Sequence, residues 1–163
     1  MNADLEIPRT LLITLTGKDR PGVTSRVFGT LASYGVEVVD IEQIVLRRRL
    51  ILGVLVTAPR EWKGLRDALE QVAADLEMQV EVDRGTGDNR SRPEGRTRVT
   101  VLGSPLRAKA FAAVAGRIAD SGANIDRIER IARYPVTAID MHISGADPDR
   151  LRAVLAREAA LQE

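Results

Sequence analysis

The first half of the chain alternates between two hydrophobic periods. Apolar residues at every second position predict strands, and apolar residues three or four positions apart predict amphipathic helices. In residues 62–76, for example, Leu65, Leu69 and Val72 share one helical face. The pattern predicts, in order, a strand at 9–16, a helix at 21–34, strands at 36–47 and 50–57, a helix at 62–76 and a strand at 78–82.

Residues 84–96 have no hydrophobic period. This segment is polar and contains three glycines and one proline, a composition typical of a flexible connection. We therefore expect a linker at 84–96 between a first domain at 9–83 and a second domain at 97–163.

The second half of the chain repeats the pattern of the first. It predicts a strand at 97–102, a helix at 107–121, strands at 124–132 and 136–144, and a last helix opened by Asp147 and Pro148. A shift of 87 residues places apolar residues and glycines of the first half on identical residues of the second: Val27 on Val114, Gly29 on Gly116, Gly35 on Gly122, Ile41 on Ile128 and Ile44 on Ile131.

The second repeat has one element fewer than the first, because the sequence ends at Glu163 within the last helix. The predicted fold class is α+β, with two tandem ferredoxin-like βαββαβ units of which the second lacks its last strand. The edge of its sheet near residues 99–102 should then be bare. We expect the natural polypeptide to continue beyond Glu163; the alternative is a strand supplied by another chain.

Composition and charge exclude several classes of function. The 24 basic and 23 acidic side chains nearly cancel, so no strong field favours nucleic acid or an anionic membrane. The absence of cysteine excludes disulfides and thiolate metal sites, and no apolar run is long enough to cross a membrane. Aromatic residues, at 3%, are too few to stack bases. These features predict a cytoplasmic protein without nucleic-acid or membrane partners.

The turn after the first strand can bind an anion. In the run GKDRPGV, Pro21 sets the backbone angle for a helix start, where main-chain N–H groups lack helical partners and attract negative charge. Gly22 would let a carboxylate approach its own N–H and that of Val23, Asp19 could accept from an ammonium group, and Arg20 would lie at the rim. The alternative is structural: Asp19 caps the helix and Gly22 permits a tight turn.

The sequence resembles the ACT domain, a ligand-binding regulatory module of amino-acid metabolism. The resemblance is carried by LITLTGKDRPGV, by Gly35 and by the strand VEVVDIEQ. Two such units in tandem, with a YPVT turn in the second, are similar to the N-terminal regulatory part of actinobacterial-type phosphoserine phosphatases. The resemblance implies that a partner module closes the ligand site with the strand that follows the first helix. The residues implied as walls are Val36, Glu37 and Val38, or Asn124 and Ile125 in the second unit.

The second unit departs from this motif. It reads GSPLRAKAF, and the shift of 87 residues places Lys109 opposite Gly22. The lysine could block a pocket or bind the anion itself, so we expect at most one good site per chain. An ordinary polar residue at a strand entry is an equally good explanation of Asn124.

No residue pattern predicts catalysis. The resembled phosphatases use a DxDx[TV] motif with magnesium, and that catalytic part is absent here, so no cofactor is expected in this chain. The triplet Asp147, Pro148 and Asp149 is better explained as a helix cap and first turn. His142 has no carboxylate or cysteine motif nearby in sequence and is expected to lie in the core or on a sheet face.

The resemblance therefore implies a non-catalytic regulatory module of a phosphoserine phosphatase in serine biosynthesis. It would bind serine or a similar small amino acid and form a homodimer or a domain-swapped oligomer. The alternative is a free-standing two-ACT regulator that acts through protein partners, similar to the glycine-cleavage repressor proteins.

Overall fold

The computed structural model describes residues 8–89 and 96–162. The chain divides into two compact units, residues 1–90 and 91–163. The elements of the first are β1 Arg9–Lys18, α1 Val23–Ser33, β2 Val38–Leu46, β3 Arg49–Thr57, α2 Trp62–Asp75 and β4 Gln79–Thr86. Those of the second are β5 Thr97–Gly103, α3 Ala108–Asp120, β6 Asn124–Ala132, β7 Thr137–Ser144 and α4 Pro148–Gln162.

The first unit is the predicted four-stranded antiparallel sheet, in the order β2-β3-β1-β4. Alternate residues of the central strands β1 and β3 point to one face and are fully buried, among them Leu11, Ile13 and Leu52. The helices α1 and α2 cover this inner face with a stripe of apolar residues that includes Val27 and Leu65. The outer face carries the intervening residues of each strand.

Several boundaries in the first unit differ from the prediction, and two of them change which residues pair in the sheet. β4 continues to Thr86, so the predicted linker begins too early: Thr86 pairs with Arg9, and Gly85 pairs with Thr10. The hairpin between β2 and β3 is tighter than predicted, because Arg47 and Arg48 both adopt positive φ angles, 48° and 63°. That backbone twist suits a two-residue turn, and Arg49 therefore belongs to β3.

The second unit has three strands, in the order β5-β7-β6, with α3 and α4 packed on one face. Its core is small and consists of Ile118, Met141, Ile143, Ala146 and Leu151. Within residues 96–162 no strand pairs with the second edge of β5, as predicted. Val99 and Val101 of β5 remain only partly buried as a result.

The start of α4 shows what the acidic pair at its N-terminus does. Asp147 Oδ1 accepts from the backbone N–H groups of Asp149 at 3.0 Å and Arg150 at 3.3 Å. Asp147 is therefore the cap predicted for this helix. None of the helices described is long and apolar enough to cross a membrane.

Candidate functional site

The predicted ligand corner lies between the end of β1 and the start of α1. After Lys18 the chain leaves the sheet, and the N–H of Asp19 donates to the carbonyl of Arg48 in the β2–β3 hairpin at 2.8 Å. Two turn residues, Pro21 and Gly22, then lead into the helix. The corner is thus fixed to the hairpin, and its position follows from the β1–β3 pairing.

Gly22 is required for its backbone angle. It is the N-cap of α1 with φ 89° and ψ −5°, a left-handed conformation that other residues adopt only with strain. A Cβ at this position would have nothing within 4 Å, so the residue faces open space. This is the tight turn that the structural alternative predicted for Gly22, and the close approach of a ligand stays a prediction. Pro21 was predicted to open the helix, but it lies in the turn, and α1 begins at Val23.

The amides available at this corner also differ from the expectation. The N–H of Val23 is directed to the carbonyl of Arg20 at 3.4 Å, and the N–H of Arg26 makes the first helical bond, to Gly22 at 3.0 Å. Thr24 and Ser25 lie between them. As residues of the first helical turn, they carry N–H groups that have no carbonyl partner within the helix. The helix-start amides without a helical partner therefore lie further along the chain than Gly22 and Val23, the residues predicted to meet an anion.

The charged residues of the corner take different partners. The N-cap of α1 is Gly22 and not Asp19, so the structural alternative that Asp19 caps the helix is wrong. Arg20 reaches across to the end of α2, where its Nη2 donates to Glu77 Oε2 at 2.9 Å. Arg20 is thus committed to an ion pair, while Asp19 is exposed at the turn.

The sequence did not indicate a contact that joins this corner to β2. Thr24 Oγ1 donates to Gln43 Oε1 at 2.8 Å. The bond uses the amide oxygen of Gln43, whose amide nitrogen is a donor of two further hydrogen bonds. A polar residue in the middle of an exposed strand was the only available signal, and it does not identify a partner.

The predicted wall residues Val36, Glu37 and Val38 lie at the opposite end of α1. A helix of 11 residues is about 16 Å long, so they do not meet Asp19 or Gly22 within the same unit. Val36 packs against the core, and Glu37 exchanges hydrogen bonds with Thr57 at 2.9 Å. These residues can therefore line a ligand corner only where that corner belongs to a second module.

In the second unit the candidate residues are engaged locally. Asn124 Nδ2 donates to Asp126 Oδ1 at 2.7 Å, and Ile125 packs against the core. Lys109 is exposed in the first turn of α3, which begins at Ala108. The helix starts two residues earlier than the repeat implies, so Lys109 is helical and does not occupy a left-handed position like that of Gly22.

His142 lies on a face of the second sheet, as expected, but it is not isolated, because carboxylates lie close to it. Its Nε2 lies 3.5 Å from Asp140 Oδ2 and 3.6 Å from Glu129 Oε1, although the atom has no hydrogen-bond partner. Asp140 precedes His142 by two residues on β7 and so shares its face of the sheet, and the pairing of β6 with β7 brings Glu129 opposite Asp140. The ligand-type atoms of the three residues lie within 4.8 Å of one another.

Arginine neutralises this cluster. Arg98 donates to Asp140 Oδ2 from both Nε and Nη2, and Thr100 donates to Asp140 Oδ1 at 3.2 Å. These hydrogen bonds, chiefly that from Arg98, hold the pKa of the Asp140 carboxyl below its usual value although the side chain is buried. Arg127 lies 3.3 Å from Glu129. A cation would have to displace these arginines, which makes the cluster a poor metal site.

A separate cavity of about 490 Å³ opens on the outer face of the first sheet. Its lining includes Leu12, Gly53 and Leu55 of the two central strands and Asp40 and Asp83 of the two edge strands. None of these residues belongs to the predicted ligand corner.

Two family models match the sequence, and both describe the ACT domain. The first covers residues 9–83 and the second covers residues 96–163. Together they span both structural units.

Curated relatives resemble the whole tandem. The chain is 54% identical over 153 residues to a phosphoserine phosphatase of Streptomyces coelicolor, a match that covers 93% of this chain and 37% of that protein. It is 41% identical over 138 residues to a phosphoserine phosphatase of Mycobacterium tuberculosis, covering 83% of this chain and 34% of that protein. The chain therefore spans about a third of these relatives.

A solved structure confirms the fold. A candidate glycine cleavage system transcriptional repressor superposes with a TM-score of 0.73 at 14% identity, covering 96% of this chain and 94% of the other. At this identity the likeness concerns the tandem fold alone.

Proposed function

Because the chain belongs to the ACT-domain family, we propose that it is the regulatory module of a phosphoserine phosphatase and that it binds serine or a similar small amino acid. The identity of 54% to such a phosphatase over nearly the whole chain supports the enzyme class. The geometry at the start of α1 supports the ligand class.

The single observation that carries the ligand proposal is the open corner at Gly22. Gly22 is a left-handed cap with open space where a side chain would be, and it stands at the positive end of α1, where main-chain amides lack helical partners. Asp19, exposed beside them, supplies a negative charge for an ammonium group. A zwitterion with both charges on one carbon matches this arrangement, and serine is small enough to leave the turn unchanged.

The module regulates and does not catalyse in this proposal. The only DxD triplet begins with Asp147, whose carboxylate is occupied by the amides at the start of α4. Occupancy of the corner would act on the rest of the phosphatase through the packing of modules.

The proposal includes a homodimer formed through β2. This edge strand exposes large apolar side chains. Val38 and Ile41, on the helix side of the sheet, are 48% and 44% exposed, and Leu46, at the end of the strand, is 62% exposed. Such an edge favours pairing with another chain. A second copy would also bring wall residues such as Val38 toward the corner of its partner. Sedimentation velocity at micromolar concentration should show a dimer, and a monomer would contradict this part of the proposal.

Isothermal titration calorimetry with L-serine and a panel of small amino acids tests the ligand. We expect saturable binding to the folded chain, reduced about fivefold or more in Asp19→Asn because the ammonium loses its charged partner. The matched control is Asp120→Asn, an exposed aspartate at the end of α3 with the same charge change. Absence of heat with every amino acid, or equal losses in the two variants, would contradict the sensor.

Gly22→Val provides a second test of the same corner. A valine cannot keep φ at 89° without strain, so the amides at the start of α1 should shift and binding should disappear. Because the left-handed backbone strains any other residue, circular dichroism must show that the variant is folded. Unchanged affinity in a folded Gly22→Val variant would place the site elsewhere.

The alternative, a free-standing regulator that acts through protein partners, is favoured only by the common tandem fold. Reading the gene beyond the codon for Glu163 distinguishes the two proposals. A DxDx[TV] motif after a following strand supports the phosphatase module.

A further inference from the structure

The outer face of the first sheet has an ordered arrangement of charge and apolar surface. Cross-strand pairing places four residues in one row across the strands β2, β3, β1 and β4: Asp40, Leu55, Leu12 and Asp83. Two leucines thus occupy the middle of the row, and a carboxylate stands at each end. All four residues line the cavity of about 490 Å³.

The adjacent row repeats the arrangement with a gap in its centre. It consists of Glu42, Gly53, Thr14 and Glu81, again with an acidic residue at each end. A Cβ at Gly53 would meet only the carbonyl of Glu42, at 4.0 Å. The missing side chain therefore leaves a hollow beside the leucine pair, and Leu12 remains 45% exposed.

The charge of the cavity selects its occupant. No lysine or arginine is among the described residues that line it. Asp40 accepts hydrogen bonds from the Asn89 side-chain amide and from the N–H of Ile41, but these donors are neutral and leave its negative charge in place. An apolar floor between two acidic ends attracts a molecule that is cationic at both ends and aliphatic between them.

The dimensions agree with such a molecule. Neighbouring strands lie about 4.8 Å apart, so β2 and β4 are separated by about 14 Å. An extended aliphatic diamine with about eight to ten methylene groups has a comparable length. Its methylenes would cover Leu12 and Leu55, and its ammonium groups would reach Asp40 and Asp83.

We propose that the outer face of the first unit binds a linear aliphatic diamine or polyamine. The site lies on the opposite face of the sheet from the helices and shares no residue with the corner at Gly22. Amino acids are disfavoured, because their α-carboxylate would face the acidic ends. The first unit thus carries two distinct sites, one for a zwitterion and one for a dication.

Calorimetric titration of the full chain with 1,8-diaminooctane tests the proposal, with 1-aminooctane as the matched ligand that lacks the second charge. We expect the diamine to bind at least fivefold more tightly than the monoamine, since the monoamine leaves one carboxylate without a partner. 1,8-Diaminooctane should likewise bind more tightly than 8-aminooctanoate, in which a carboxylate replaces one of the two ammonium groups. Equal affinities within both pairs would overturn the proposal.

Variants locate the site. Asp83→Asn should weaken diamine binding about fivefold, and Asp120→Asn, with the same charge change in the second unit, should leave it unchanged. Gly53→Val fills the hollow at a strand position that tolerates a β-branched residue, so it should abolish binding while the circular dichroism spectrum is retained. Equal effects of the two aspartate variants would show general attraction to acidic surface and would overturn the proposal.

The two sites of the first unit can be tested independently. Gly53→Val should leave the response to L-serine unchanged, and Asp19→Asn should leave diamine binding unchanged. If only diamine binding fails, the proposed amino-acid sensor is unaffected. If only serine binding fails, the proposed diamine site is unaffected.

Discussion

In the first unit β4 lies against β1 and adds Val80 and Val82 to the core, whereas in the second unit the corresponding edge of β5 has no strand among residues 96–162. The consequence is visible in the equivalent strands. Leu11 and Ile13 of β1 are fully buried, while Val99 and Val101 of β5 are only partly so. The two units share the same arrangement of helices and sheet, so the presence of β4 explains why the first core is shielded from water more completely than the second.

The outer faces differ in the opposite sense. In the second unit a buried carboxylate, Asp140, occupies the centre of the sheet and is neutralised by Arg98. In the first unit the central positions are apolar and the carboxylates stand at the edges, as with Leu12 and Asp83. The repeat therefore conserves the inner packing, and the outer face is where the two units differ in chemistry.

The largest expected effect comes from truncating equivalent core residues. Leu52→Ala in the first unit removes a fully buried side chain and should lower the free energy of unfolding by about 2–5 kcal/mol. The shift of 87 residues pairs Leu52 with Ile139, which is partly buried. Ile139→Ala should therefore lower it by less than about 2 kcal/mol.

Urea unfolding with two probes separates these effects. The single tryptophan, Trp62, packs against the first core, so its fluorescence follows the first unit, while circular dichroism follows both. Equal losses of stability in the two variants would show that the second core is as completely buried as the first. That result would contradict the difference between the two units.

A smaller effect, dependent on pH, is expected from Asp140→Asn. The pKa of Asp140 is lowered in the folded chain, chiefly by the hydrogen bond from Arg98, so the charged carboxylate stabilises the fold above its ordinary pKa of about 3.8. This contribution is lost as the pH falls through the lowered pKa. Arg98 is 65% exposed, and solvent screening should keep the effect below that of Leu52→Ala.

The measurement is urea unfolding by circular dichroism from neutral pH to below pH 4. Asp140→Asn should be less stable than the wild-type chain near neutral pH, and the difference should close in acid. Asp120→Asn serves as the exposed control and should show no such convergence. A difference that stays constant with pH would mean that the ion pair does not stabilise the second unit.

The order of elements was predictable because the inner face of each sheet leaves a strict period in the sequence. Leu11, Ile13 and Leu15 alternate with polar or exposed residues, and that alternation alone identifies β1. The end of β4 was not predictable, because Gly85 and Thr86 are typical of a loop. They pair with Thr10 and Arg9 only because β1 is long enough to reach them.

The candidate sites were predictable in part. Main-chain conformation at Gly22 follows from local sequence, and so does the presence of a helix start. Partners from other elements do not: the Thr24–Gln43 contact, the Arg20–Glu77 pair and the position of Glu129 beside His142 all depend on how the elements pack and pair. The arrangement of Asp40 and Asp83 around two leucines is likewise a property of three strand pairings, which no single segment encodes.

The smallest expected effect concerns a position at which the two units should agree. Gly29 in α1 and Gly116 in α3 are separated by the repeat of 87 residues, and a Cβ at either would meet nothing within 4 Å. Alanine restricts the unfolded chain without a steric cost in the helix, so Gly29→Ala and Gly116→Ala should each raise the free energy of unfolding by about 0.5–1 kcal/mol.

Gly22→Ala should have the opposite sign and lower the free energy of unfolding by about 1 kcal/mol, because φ is 89° there. Urea unfolding with both probes checks all three variants. If Gly116→Ala fails to stabilise while Gly29→Ala succeeds, the second unit differs from the first in its helices as well as at its sheet edge.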